Sequence, residues 1–161
     1  MKKLLCTIVL VITALTANAQ DGQFNLGING GLPIGDFDKT HSFTLGAEVN
    51  YLFEVAENFK VGPSVAFINY FGKEENNIGF GDIQFLPVSA AARYNLSEKF
   101  SFGADLGYGI GINNGNDGGF YYRPLISYAI SEKMAIQGSY SGISKNGNTI
   151  SNIGIGVSFS L

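Results

Sequence analysis

Phe100-Ser101-Phe102-Gly103-Ala104-Asp105-Leu106-Gly107-Tyr108-Gly109-Ile110-Gly111-Ile112 alternates an apolar side chain with a small or polar one for thirteen residues. Period two sends successive side chains to opposite faces of an extended chain, so this stretch reads as a strand. Its length matters as much as its period. Globular strands run to about 5–6 residues, whereas a tilted strand that crosses a bilayer has about 9–11. Seven further segments repeat the alternation, at about 23–33, 43–55, 59–71, 83–96, 120–130, 134–142 and 150–161.

Three of the connections share one form. Val55-Ala56-Glu57-Asn58-Phe59, Leu96-Ser97-Glu98-Lys99-Phe100 and Ile130-Ser131-Glu132-Lys133-Met134 each place a short Glu-centred turn between two apolar residues. Parity counted across each turn keeps the apolar residues of both strands on one face, so the register is self-consistent. The alternate connections, about 34–42, 72–82, 113–119 and 143–149, are longer and rich in Gly, Asn, Asp and Lys. Short turns on one side and longer loops on the other are the asymmetry of a transmembrane β-barrel. The expectation is an all-β fold, an eight-stranded antiparallel up-and-down transmembrane β-barrel.

The identity of the two faces decides which side meets lipid. The face opposite the large apolar residues is mostly Gly, Ser, Ala and Asn, too uncharged for a solvated exterior. It suits the crowded lumen of an eight-stranded barrel, where side chains only just fit. Charged residues are 14% of the chain against roughly 25% in soluble domains. Aromatics cluster near both strand ends. Tyr51, Phe53, Phe59, Tyr94, Phe100, Phe102 and Tyr128 lie toward the turns, and Phe43, Phe71, Phe85, Tyr108 and Tyr122 toward the loops. Two such belts are expected at the two membrane interfaces.

At the N-terminus, Lys2 and Lys3 precede an apolar run to Leu15 and the small-x-small site Ala17-Asn18-Ala19. Basic end, short apolar centre and small-residue exit define a secretory signal peptide. Residues 1–19 are therefore expected to be removed, leaving 20–161 as one barrel domain that begins at Gln20. Cys6 leaves with the signal, so the mature chain offers no disulfide, thiolate or sulfur ligand. Lys2 and Lys3 also leave, so eight basic residues face thirteen acidic ones. With no basic stripe, nucleic-acid binding is not expected.

In the final segment Ile153, Ile155, Val157, Phe159 and Leu161 share one face. Gly156, Phe159 and Leu161 have a glycine followed three and five residues later by hydrophobics. This resembles the C-terminal signal by which outer-membrane barrels are recognised by their insertion machinery, with Leu161 where Phe is commoner. Signal peptide, eight strands, Ser-Glu-Lys turns and this ending together resemble the small outer-membrane β-barrel domain family, porin-like and similar in architecture to the eight-stranded OmpA and OmpX barrels. The resemblance covers the whole mature chain. It implies residence in bacterial outer-membrane lipid and carries over no catalytic residue.

The inward polar residues are the candidate chemistry. Glu48, Asn50, Arg93, Asp105, Arg123 and Gln137 fall on the lumen face. With register set by the Ser97-Glu98-Lys99 turn, Asp105 opposes Ala91 and lies diagonal to Arg93, with Glu48 and Arg123 able to join across the barrel. This reads as a charge-paired plug that satisfies buried charge; the alternative is a narrow ion path lined by the same groups. A lipid-modifying enzyme is a third reading. It needs a nucleophile with a histidine in reach, and His41 is the one histidine. Its neighbour Ser42 points the opposite way on an extended chain, and no Gly-x-Ser-x-Gly elbow is present. No catalytic residue, cofactor or metal site is expected. Asp36, Asp38, Glu74, Glu75, Asp82 and Asp117 read as solvated loop charge rather than a Ca²⁺ site. The expected role is structural or adhesive, with an unidentified ligand met by the external loops.

Prolines at 63, 87 and 124 fall inside strands, where a closed barrel has no edge to host them. Around Pro87 the alternation slips, since Ile83 and Phe85 share the outer face only if one residue is extra. A β-bulge is expected at Leu86-Pro87. Pro63 and Pro124 have no comparable account from sequence.

Overall fold

The computed structural model describes residues 22–75 and 78–161. The expected signal peptide and its cleavage site lie outside the described residues. In chain order the strands are β1 (Gly22–Ile34), β2 (His41–Ala56), β3 (Phe59–Gly72), β4 (Glu74–Glu75), β5 (Ile78–Gly79), β6 (Ile83–Asn95), β7 (Phe100–Gly111), β8 (Gly119–Ser131), β9 (Met134–Lys145) and β10 (Asn148–Ser160). The eight long strands close into one antiparallel up-and-down barrel, each beside its neighbour in sequence, and β10 returns to β1. That seam runs from Asn25 opposite Ser160 to Ile34 opposite Ser151. The Leu161 amide extends it by donating to the Phe24 carbonyl at 2.9 Å. β4 and β5 form a separate two-residue ladder in the loop between β3 and β6.

The apolar faces point outward. Phe100, Phe102, Leu106, Tyr108 and Ile110 of β7 are each about half exposed, as are Ile153 and Phe159 of β10. Such a band is tolerable only against hydrocarbon. At the turn end Phe24 and Tyr51 meet at 4.4 Å and Phe100 and Tyr128 at 4.9 Å; at the loop end Phe43 stacks on Phe71 at 4.3 Å.

The three short turns are held locally. Asn58 takes a positive φ of 63° beside a register shift between Glu54 and Ala56. This matches a type I turn whose third residue is left-handed and forms a bulge. The Ser97 hydroxyl accepts the Phe100 amide at 3.1 Å, and the Ser131 hydroxyl accepts that of Lys133 at 3.3 Å. On the other side, the first loop is a short 3-10 helix, Gly35–Lys39. The fourth loop differs from expectation. Instead of a long connection over 143–149, β9 and β10 continue to Lys145 and Asn148 and leave only Asn146-Gly147 between them. Both central residues have positive φ, 50° and 84°, the requirement of a type I′ hairpin turn, for which Asn-Gly is the preferred pair.

The β-bulge expected at Leu86-Pro87 does not occur. The β3–β6 register is the same on either side, Val65 opposite Val88 and Ile68 opposite Phe85; only the bridges between those pairs are missing. Meanwhile Pro87 keeps its place opposite Gly109 of β7. Pro63 and Pro124 repeat this arrangement. Pro63 stays opposite Ala90 while the β2–β3 ladder skips from Asn50–Ser64 to Phe53–Val61. Pro124 stays opposite Ala104 while the β8–β9 ladder skips from Tyr122–Gly142 to Leu125–Ser139. A residue without an N–H interrupts one ladder and leaves the other intact, so none of the three needs an edge strand or a change of register.

Without a bulge, strict parity turns Phe85 inward, where it is 1% exposed. It therefore leaves the lipid-facing belt to which its aromatic character assigned it.

Gly147→Ala is expected to destabilise the barrel by about 1 kcal/mol, because a Cβ is disfavoured at this backbone conformation. Asn146→Gly should be close to neutral. Urea unfolding of the refolded barrel in detergent measures both; equal midpoints for Gly147→Ala and the unaltered chain would contradict the turn assignment.

Candidate functional site

The lumen holds two layers of different chemistry. The lower one, nearer the turns, is charged. Asp105 on β7 lies opposite Ala91 of β6 and opposite Arg123 of β8. Arg93, opposite Gly103, is thereby diagonal to it, the register that turn parity implies. Arg93 Nη1 donates to Asp105 Oδ1 at 2.6 Å and to the Ala92 carbonyl at 2.9 Å. Arg123 Nε donates to Asp105 Oδ2 at 2.9 Å, with its Nη2 2.7 Å from the same oxygen. Arg123 Nη2 also meets Glu48 Oε2. Since β2 and β8 are not neighbours in the sheet, this last ion pair crosses the lumen.

Two carboxylates and two guanidiniums thus balance, and all four side chains are almost fully buried, Asp105 and Glu48 to 1% exposure. Burial without such partners would carry a large desolvation cost. The four are not held equally. Asp105 accepts directed hydrogen bonds from both arginines, whereas the Glu48–Arg123 contact is one of charge, without hydrogen-bond geometry. Gln137 is also buried. It lies opposite Ser127 and Gly156, nearer the turns, and joins no ion pair. Asn50 accepts from Asn25 Nδ2 at 2.9 Å, and Asn25 Oδ1 accepts from the Ser160 hydroxyl at 2.8 Å, a polar chain that ties β2, β1 and β10 together.

The second layer was not legible as a site. Ile68, Tyr70, Phe85, Tyr121 and Ile143 form an apolar cluster at the loop end of the lumen, with Ile83 and Ile150 packed against it. Tyr70, Phe85 and Tyr121 are at most 1% exposed. The available signal was parity, which turns Ile68, Tyr70 and Tyr121 inward. The expectation that large apolar residues face lipid hid it.

Glycines make room for both layers, and the sequence reading did not single them out. Glu48 lies over Gly27, where an added Cβ would stand 2.6 Å from its Cγ. The stem of Arg93 runs over Gly103, 2.5 Å from such a Cβ, and Ile143 covers Gly109 at 3.0 Å. Glu48 and Arg93 therefore each lie across a neighbouring strand that has no side chain to oppose them, and Ile143 reaches past β8 to the bare backbone of β7.

His41 and Ser42 face opposite ways. His41 is buried and its Nδ1 lies 2.8 Å from Thr40 Oγ1, whereas the exposed Ser42 donates to the Phe71 carbonyl at 3.2 Å. Two ion pairs lie in the loops, Lys39 with Asp36 at 3.2 Å and Lys145 with Asp117 at 2.6 Å. Asp117 is held below the usual carboxylate range by Lys145, and Asp82 by hydrogen bonds from the Asn69 side chain and the Gly72 amide. Among the described residues no set of His, Cys, Asp and Glu gathers as metal ligands.

Closed eight-strand topology, an apolar exterior with aromatic belts and a polar-charged interior define a transmembrane β-barrel. Residues 7–161 match the outer membrane protein beta-barrel domain, and the chain belongs to that family of the bacterial outer membrane. No curated protein matches it. Among solved structures it is similar to the Yersinia pestis outer membrane protein Ail in a phospholipid bilayer nanodisc, at 16% identity and a TM-score of 0.62, over 88% of this chain and 100% of that one. A de novo designed transmembrane β-barrel gives 14% identity, a TM-score of 0.56 and coverage of 89% and 99%. The N-terminal β-barrel domain of Pseudomonas aeruginosa OprF gives 12%, 0.54, and coverage of 89% and 100%. At such identities the shared property is the fold.

Asp105→Asn should cost about 3–5 kcal/mol, because it strands the buried Arg93 without a counter-charge and leaves Arg123 with Glu48 alone. Adding Arg93→Gln to it should recover much of the loss, since Glu48 and Arg123 then remain as a balanced pair. Unfolding free energies of the refolded variants test this coupling; simple additivity would show that the residues act independently.

Proposed function

We propose that this protein is a plugged outer-membrane barrel with a structural or adhesive role, which meets other molecules through its external loops. The observation that carries the reading is the pair of side-chain layers in the lumen. A charged layer crosses it from Glu48 to Arg123, and an apolar layer of Tyr70, Phe85 and Tyr121 lies above. A cavity lined by Thr44, Tyr121, Arg123, Ser141 and Asn152 has a volume of only about 30 Å³, room for roughly one or two waters. On the same reading residues 1–19 direct secretion and are cleaved before Gln20. Gly156, Phe159 and Leu161 serve recognition by the insertion machinery. Their spacing supports this, as do the outward-facing Phe159 and Leu161.

The experiment is single-channel recording of the mature chain in planar bilayers at neutral pH. No conductance steps are expected. Glu48→Ala should also remain silent, because the apolar layer still closes the lumen; Glu48→Ala combined with Tyr70→Ala and Phe85→Ala should conduct. Regular steps from the unaltered protein would overturn the plug and favour a small ion or solute channel.

A further inference from the structure

His41 occupies a position that the barrel itself does not require. β2 is 16 residues long, more than the roughly 9–11 that cross a bilayer, so His41 at its outer end stands with the loops. The residue is only 4% exposed. Phe37 of the first loop covers one side, at 5.7 Å between ring centroids. Below, Tyr70 meets it edge-on at 6.4 Å and leads to Phe85 at 6.1 Å, the start of the apolar layer. The loop between β3 and β6 presents the Gly81 backbone to it. Nδ1 has Thr40 as partner, and Nε2 is buried with no hydrogen bond.

The two loops that enclose this ring are also joined to each other. The Lys73 amide donates to the Thr40 carbonyl at 2.8 Å, and Lys73 Nζ donates to the Asp38 carbonyl at 2.5 Å. The Phe80 amide donates back to the Lys73 carbonyl at 2.9 Å. First loop, second loop and apolar layer therefore converge on one imidazole.

We propose that His41 is the pin of an acid-releasable latch that docks the first and second external loops on the outer mouth of the barrel. The pin holds while the ring is neutral. A charged ring in this enclosure loses its hydration, and the Gly81 backbone and the charged groups facing it offset that loss only in part. Asp82 favours the imidazolium, but its carboxylate is already taken by Asn69 and Gly72, each at 3.1 Å. Lys73 opposes it, and the first loop's Asp36 is paired with Lys39. Burial outweighs the favourable contacts and lowers the His41 pKa. Docking is consequently complete above the ordinary histidine pKa of about 6.5 and weakens as pH falls below it, since the released loop binds the proton more readily. Acid then exposes the β3–β6 loop without unfolding the barrel, whose ladders are backbone hydrogen bonds. The latch does not depend on whether the lumen conducts.

The refolded full chain in detergent can be digested with a glutamyl endopeptidase active at both pH 7.5 and pH 5. Cutting after Glu74 reports the loop, and cutting after Glu57 and Glu98 in the opposite turns corrects for protease activity. The Glu74 share is expected to rise at least threefold at pH 5, and the midpoint of that rise should coincide with the His41 imidazole titration followed by NMR. His41→Phe, a neutral ring of similar shape, should keep the loop protected at both pH values. An unchanged Glu74 share in the parent protein, a persistent acid-induced rise in His41→Phe, or midpoints more than one pH unit apart would overturn the latch. If His41→Phe is cut at both pH values, the coincidence of midpoints in the parent protein decides.

Discussion

Backbone groups that face hydrocarbon have no water to pair with, and each one left unpaired costs several kcal/mol. Closure of β10 on β1 is the arrangement that removes the last open edge, and the rest of the molecule follows from it. The ladder from Asn25–Ser160 to Ile34–Ser151 closes the ring of strands. The same demand explains the prolines. At positions 63, 87 and 124 a missing donor opens a short gap in one ladder, while the other ladder and the register beyond it are kept. A one-residue slip would have turned every following side chain of the strand to the wrong face, a greater loss than one absent hydrogen bond.

Closing eight strands also sets the width of the interior, which only just accommodates side chains. Long residues cannot meet each other there unless a neighbour gives way. Glu48 over Gly27, Arg93 over Gly103 and Ile143 over Gly109 are the same solution at three places. The alternation of large outward and small inward residues is thus more than a record of lipid and lumen. The small inward residues hold the space that long inward residues of the next strand, or of the next but one for Ile143, occupy. The four buried charges depend on this space to reach one another, and their pairing offsets the cost of burying them.

Much of this was legible because the controlling signals are local. The thirteen-residue alternation of β7 identified strand, face and length together. The Ser-Glu-Lys turns carried the register from β6 to β7, and with it the diagonal of Arg93 and Asp105. The Asn146-Gly147 turn is equally local, since the dipeptide alone specifies the type I′ geometry that replaces the expected loop. Phe85 departs from the expected face for a different reason: the loop end of the lumen is apolar and wide enough for a phenyl ring, so no bulge is needed to keep it in lipid.

The sequence by itself determined the strand count, the lipid-facing side, the turn register and which polar residues point inward, because period and parity act between residues close along the chain. Only the tertiary structure decided which inward residues meet. Glu48 reaches Arg123 across the lumen, and Tyr70, Phe85, Tyr121 and Ile143 gather at the loop end from β3, β6, β8 and β9. Such contacts join strands distant in sequence, and their positions follow from the curvature and tilt of the closed sheet. No local pattern encodes that geometry, because it exists only once the last strand has paired with the first.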